Sequence, residues 1–241
     1  GNRGILKDDG ADAAHAAVPL AGREGRPADH TAFRGMGGST ARPHLPSTAG
    51  VVLVRRHRAE DLGNVFAVRD DAPFSTLEDT FGGRAGWTVE HSHSGFNAFR
   101  HHLLRYRTAS RPGLYGEMVP NLVTARAILD SVREGRIDVG PLDAYWHLLI
   151  AKHNPTLTAG VRVLDSTEVA TIPAFVTAAN TPASTINALR HAFVNACRHP
   201  WFREYADTLL IEGFAAVDTP DYARTLEWDS AAKAAGYACP A

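Results

Sequence analysis

Sulfur is scarce in this 241-residue chain, which has two cysteines and two methionines. Cys197 and Cys239 lie far apart with no C-x-x-C spacing, so neither a dithiol redox motif nor a cysteine-built zinc site is expected. In an oxidising compartment they could pair; otherwise they are two unrelated thiols. No run of about 18 apolar residues occurs, which excludes a spanning helix, and the first residues lack the basic-then-apolar order of a secretory leader. Net charge is nearly absent as well: 25 Lys and Arg against 26 Asp and Glu leave −1. That balance gives no bulk attraction to nucleic acid or to an anionic membrane, so recognition must rest on local charge. What is present is apolar material, 44% of the residues, enough at this length for a sizeable core in one large domain or two small ones.

Residues 1–50 show neither a helical nor an alternating apolar period, and little regular structure is expected there. "VVLV" from Val51 and "VFAV" from Val65 read as short buried strands. From Ala72 the punctuation becomes regular. "STLEDTFGGR" predicts a short helix with Ser75 as N-cap and Glu78 completing a capping box. "AGWTVE" predicts a strand, and "GFNAFRHHLL" a helix burying Phe96, Phe99 and Leu103. "NLVTARAILDSVREG" is amphipathic, with Leu122, Ala125, Leu129 and Val132 inward and Gly135 as its stop. "IDVGPL" and "VRVLDS" are strands flanking the helix "DAYWHLLIAKH", for which Asp143 is the candidate N-cap. Beyond Ser166, "IPAFVTA" reads as a strand, followed by three helical segments, two of which open on Thr-Pro. Strands alternating with helices predict an α/β fold with mostly parallel sheets covered on both faces.

The segment "GWTVEHSHSGFNAFRHHL" carries the densest chemistry. In an open parallel sheet, ligands collect beyond the carboxyl ends of strands, where the next helix begins with unpaired N–H groups. The loop 90–95 lies at such an end. Ser92, His93 and Ser94 add hydroxyl and imidazole donors, and Gly95 would let an oxyanion approach the backbone closely. A charge-assisted hydrogen bond contributes about 1.5–3 kcal/mol and a helix N-terminus roughly 0.3–1 kcal/mol. Three or four such donors reach the ~8 kcal/mol of micromolar binding after association costs, with no catalysis required. Ser92 or Ser94 would equally serve as an ordinary helix cap. A metal site from His91, His93, His101 and His102 is disfavoured, because adjacent helical histidines diverge by about 100°, and no metal or cofactor is expected.

"FSTLEDTFGGRAGWTVEHSHSGFNAFRHHLL", then "ILDSVREGRIDVGPLDAYWHLL", then "IPAFVTAANTP" together resemble the phosphate- and phosphonate-binding branch of the solute-binding proteins of ABC transporters. The likeness runs from about Ala72 to Ala235 and lies in the order and spacing of weak motifs. It implies a type 2 periplasmic-binding fold, two α/β lobes joined by two crossover segments with the ligand between them. It places the anion-holding loop on Ser92, His93 and Ser94, and a cleft-facing acid, able to meet an amine or hydroxyl of the ligand, on Asp143 with Tyr145 beside it. Asp143 reads equally as a cap and Tyr145 as a packing aromatic.

The resemblance departs at the front, where residues 1–50 lack the two βα units that relatives use to open the first lobe. The expected division is therefore an irregular segment over 1–50, an incomplete first lobe from 51–72 and 172–241, and a second lobe over 73–171. The implied function is non-catalytic capture of a phosphonate, phosphate or sulfonate for an ABC permease, in a periplasm or at a cell surface. Two rivals remain at this point: an enzyme on the same fold, like the relatives that make the pyrimidine of thiamine, with His91 or His93 as its chemical group, and a truncated relative that no longer binds.

Overall fold

The computed structural model describes residues 51–57 and 63–240; the expectation for residues 1–50 lies outside them. Strand β1 (Val51–His57) is the middle of a three-stranded sheet, antiparallel to both β7 (Phe175–Val176) and β8 (Ile211–Ala215). Strand β2 (Val65–Arg69) lies between β5 (Gly140–Leu142) and β6 (Val161–Ser166), again antiparallel to both. β3 (Arg84–Gly86) and β4 (Glu117–Val119) pair in parallel. A parallel bridge from Ala85 to Val139, with the Gly86 N–H donating to the Val139 carbonyl at 3.1 Å, joins that pair to β5. The order becomes β4-β3-β5-β2-β6.

Four of these five strands run in one direction, as the alternation of strand and helix predicts. The ladders nonetheless contain more antiparallel than parallel pairs among the described strands, because the reversed strand β2 sits between two of the others. Residues 51–72 were expected to stay together in the first lobe; instead β1 and β2 belong to different sheets. The reason is visible in β2 itself. Phe66 and Val68 point into one core with Leu77, Phe99, Leu103 and Leu114, while Val65 and Ala67 point into another with Ile128, Leu129, Val132 and Leu142. A strand apolar on both faces needs a cover on each side, and α1 (Ala98–Leu103) and α2 (Ala125–Arg133) provide it.

The helix ends follow local rules with small displacements. The first helical turn is Leu77–Thr80, and the carboxylate that closes it is Asp79, which accepts from the N–H groups of Ser75 and Thr76 at 2.7 and 2.8 Å. Ser75/Glu78 and Thr76/Asp79 both satisfy the three-residue spacing of a capping box, and the second pair is used. α2 is capped by Thr124 accepting from Ala127 N–H, and it stops at Gly135 in the left-handed region. α3 (Ala144–His153) is capped by Asp143 as expected, its Oδ1 accepting from Trp146 N–H at 2.8 Å. α4 (Ala183–Val194) and α5 (Phe202–Leu209) pack beside β8.

The last helix, α6 (Ala223–Ala234), returns to pack on α1, and Tyr237 beyond it enters the core of Phe66 and Phe99. This end of the 172–241 segment therefore packs with the second sheet rather than the first. Arg100 on α1 fixes the contact. Its side chain is almost fully buried, and it donates to Asp229 at 2.5 Å and to the Ala238 carbonyl at 3.0 Å. Cys197 and Cys239 are free thiols.

Candidate functional site

A cleft of about 230 Å³ opens where the β3 side of the second sheet, the start of α3 and the segments linking the two sheets meet. Ser92, His93 and Ser94 line it, as do Asp143 and Tyr145; Gly63, Asn64, Thr171, Ile172 and Pro173 face them. Five of the six residues singled out from the sequence are thus brought to one cavity. Gly95 is not on its lining. Its N–H donates to Ser92 Oγ at 3.0 Å, and a Cβ at this position would lie 1.9 Å from Thr88 Oγ1. The absence of a side chain at this position is required for packing against Thr88.

The turn that carries these residues is wider than an α-helical one. Asn97 N–H reaches the Ser92 carbonyl at 3.0 Å and Ala98 N–H reaches that of His93, so His93–Asn97 closes with i to i+5 bonds before α1 begins. Such bulges recur at functional sites because they free backbone groups from the regular ladder. Ser92 caps the turn through Gly95, and its hydroxyl still has a proton to donate. The capping and binding roles read from the sequence are therefore compatible in the same side chain.

The electrostatics divide the cleft. The start of the His93–Asn97 turn and the start of α3 both open on it, and helix N-termini favour negative charge. At α3 that preference is already met by the Asp143 carboxylate. Among the described residues lining the cleft there is no arginine or lysine. His93 is neutral near pH 7, since burial pushes its pKa below the ordinary histidine value, opposed by the nearby Asp143 charge. The serine end is thus built of neutral donors and the α3 end carries a negative charge.

Tyr145 does two things. It lines the cleft, and its ring packs with Ala196, Phe202 and Ile211 while its hydroxyl donates to the Leu209 carbonyl at 2.7 Å. The other histidines of the segment lie elsewhere. His91 is exposed, His101 stacks on Trp228 with ring centroids 4.9 Å apart, and His102 is buried against Asp165 at 3.2 Å.

Sequence reasoning missed the opposite wall. Asn64 N–H donates to Thr167 Oγ1 at 2.9 Å, and Thr167 N–H returns a bond to the Asn64 carbonyl at 2.8 Å. Gly63 leaves no space for a Cβ, which would stand 2.1 Å from the Thr167 carbonyl oxygen. The two linking segments therefore touch, and the signal for it was the glycine preceding the strand.

Comparison with known proteins bears on this geometry. None of the curated proteins matches the sequence. Among solved structures, the chain is similar to PhnD1 from Prochlorococcus marinus in complex with methylphosphonate, with 14% identity, a TM-score of 0.64, and coverage of 78% of this chain and 72% of that one. It is also similar to the binding-protein component of an ABC phosphonate transporter from Pseudomonas aeruginosa, with 13% identity, a TM-score of 0.62, and coverage of 78% and 63%. A Xanthomonas citri protein bound to ATP aligns with 18% identity, a TM-score of 0.54, and coverage of 77% and 71%. At these identities the likeness shows the fold, a two-lobe α/β type 2 periplasmic-binding architecture. The family model described as "ABC transporter, phosphonate, periplasmic substrate-binding protein" matches residues 36–222, and over that span, most of its length, the chain belongs to the family of periplasmic substrate-binding proteins of phosphonate ABC transporters.

Proposed function

We propose that the cleft between Ser92–Ser94 and Asp143 captures a small phosphonate-type oxyanion, without chemical conversion, for delivery to an ABC permease. The observation that carries this reading is the gathering of Ser92, His93 and Ser94 at the start of a helical turn, on the same cavity as Asp143. Hydroxyl, imidazole and helix-start N–H donors suit a tetrahedral oxyanion. The Asp143 carboxylate suits an ammonium or hydroxyl group on the solute's organic part. The cavity volume of about 230 Å³ lies below the roughly 300–1,000 Å³ of sites for drug-sized ligands, which favours a solute of few heavy atoms. The family and the methylphosphonate held by PhnD1 support the same class.

The first lobe would comprise β1, β7, β8, α4 and α5; the second, β2 to β6 with α1 to α3 and the returning α6. Capture would work by differential affinity: a solute that touches both the Ser92 loop and the Thr171–Pro173 side shifts the open and closed populations toward closed, the form presented to the permease. The location implied is the periplasm. Among the described residues no helix is long and apolar enough to cross a membrane.

The test is calorimetric titration with methylphosphonate, phosphate and methanesulfonate. Wild-type protein is expected to bind methylphosphonate. Ser92→Ala with Ser94→Ala removes two hydroxyl donors to a charged ligand, each contributing about 1.5–3 kcal/mol, so affinity should fall about 100-fold or more. Unchanged affinity in a folded double variant would remove the loop from the site.

A further inference from the structure

His93 occupies the centre of the Ser-His-Ser loop, and an imidazole can present an oxyanion with either a donor or a lone pair, depending on where its proton sits. The partners around it decide the matter. Asn97, one turn on, places its side-chain nitrogen Nδ2 3.3 Å from His93 Nδ1 and 2.9 Å from the Thr225 carbonyl oxygen. Its side-chain oxygen accepts from Arg100 Nη2 at 3.3 Å. A carbonyl oxygen only accepts and a guanidinium only donates, so both contacts fix the same orientation of the Asn97 amide. Its NH2 group therefore faces His93, Nδ1 must accept, and the neutral ring carries its proton on Nε2.

That Nε2 is buried and has no hydrogen-bond partner among the described residues. Trp228 covers the ring, with stacked centroids 5.5 Å apart and planes 19° from parallel, which holds its tilt. Arg100 is itself immobilised, its side chain tied to Asp229 and to the Ala238 carbonyl. Burial raises the pKa of Asp229, but hydrogen bonds from Lys233 and Arg100, with their charges, outweigh that and leave it below the ordinary carboxylate value. The anionic end of the chain Asp229–Arg100–Asn97–His93 is thus secured. Buried N–H groups without an acceptor are rare and costly; His93 lines the cleft, and a ligand oxygen there would supply the acceptor once the loop yields to expose Nε2.

We infer that Asn97 and Arg100 are positioning residues that hold His93 in its Nε2-protonated tautomer, making it a neutral hydrogen-bond donor that selects an oxygen acceptor in the cleft. This rests on the proposed oxyanion site for its ligand but not for its tautomer. An imidazole with a free lone pair on Nε2 would repel an oxyanion, so the Asn97 amide sets the sign of the interaction without touching the solute. The final α6 is thereby part of the site's construction, since Thr225, Trp228 and Asp229 all lie on it.

The experiment uses the full chain labelled with 15N. Two-bond 15N–1H correlation spectra of the ligand-free protein report the histidine tautomers, and the His93 signals are identified by their loss in His93→Gln. The expected pattern is protonation at Nε2 in wild type, replaced by a mixed or Nδ1-protonated pattern in Asn97→Ala. Protonation at Nδ1 in wild type overturns the inference, whatever the ligand. Titration with methylphosphonate gives the second readout. His93→Ala is expected to weaken binding about tenfold or more, Asn97→Ala severalfold, and His93→Gln, whose amide nitrogen stands close to the place of Nε2, much less than His93→Ala. Equal losses in His93→Gln and His93→Ala overturn the donor role. If wild type does not bind methylphosphonate, the oxyanion reading fails by itself and the tautomer measurement alone decides the positioning role.

Discussion

Replacing Gly95 with alanine should destabilise the protein, although in most helical turns the same change stabilises it. The ordinary gain is about 0.5–1 kcal/mol, because alanine loses less backbone entropy on folding. Gly95 does not have a positive φ, so its backbone would accept a side chain. The obstacle is Thr88. The new Cβ would stand 1.9 Å from Thr88 Oγ1 and 3.0 Å from Thr88 Cβ. Thr88 is poorly free to retreat: it is buried, its N–H bonds the Gly95 carbonyl, its own carbonyl accepts from Val123 N–H, and a β-branched side chain is stiff about χ1. Overpacking of this kind costs about 1–3 kcal/mol, which leaves a net loss on the order of 1–2 kcal/mol after the entropic gain. For a chain of this size that is a lowering of Tm by roughly 2–8 °C. The control is Thr88→Ala, which removes an Oγ1 that is buried without a hydrogen-bond partner among the described residues. In that background Gly95→Ala should be close to neutral, a coupling of about 1 kcal/mol or more between the two sites. Urea denaturation of the four proteins, read as midpoint shifts at constant m, measures the cycle. A Gly95→Ala protein as stable as wild type, or an equal cost in both backgrounds, refutes the packing explanation for this glycine.

Two further outcomes follow from groups around the site. Burial pushes the pKa of His93, His101 and His102 below the ordinary 6.5; nearby acids oppose the shift at each, and Arg105 adds to it at His101 and His102. The unfolded chain therefore takes up protons first, so stability is complete above about pH 6.5 and falls as the pH drops through the lowered native values; a urea midpoint unchanged between pH 7.5 and 5.5 would show that these histidines are not buried as neutral groups. Tyr145→Phe leaves the Leu209 carbonyl without the hydroxyl that donates to it at 2.7 Å and should cost about 0.5–1.5 kcal/mol, measured by the same denaturation; a larger loss of methylphosphonate affinity than of stability would place the hydroxyl on the ligand instead.

What the sequence made legible is what depends on near neighbours. Period-3.6 spacing put Phe99 and Leu103 on the buried face of α1 and Phe96 inward in the turn before it, and the Asp143 cap followed from its position before an apolar helix. The S-x-S-G loop was visible because its polar residues interrupt apolar ones at a strand's end. Most of the features that were not legible join residues distant in sequence. β2 is apolar on both faces, which requires two covers but does not name the strands beside it. Arg100 meets Asp229 across 129 positions, and Asn64 meets Thr167 across 103. Neither pair has a local pattern, since any buried arginine seeks a carboxylate and the sequence offers 26 acidic residues. Asn97 escaped notice for the same reason: it reads as an ordinary polar residue at the start of α1 until α6 is folded over it.

Helix α3 connects the cleft to the other sheet in a way that bears on movement. Its first residues, Ala144 and Tyr145, line the cavity, and its last, Lys152 and His153, hydrogen-bond the carbonyls of Asp207 and Thr208 at the end of α5. These two hydrogen bonds, like the one from Tyr145 to Leu209, run from side chains to neutral backbone oxygens. Those of Lys152 and His153 are at exposed positions, where a bond to protein can be exchanged for one to water at little net cost, whereas the buried Tyr145 hydroxyl has no such alternative. A closure that moved α5 relative to α3 would therefore release the outer two bonds cheaply and leave the Tyr145–Leu209 bond, with the apolar cluster of Tyr145, Phe202 and Ile211 around it, as the pivot.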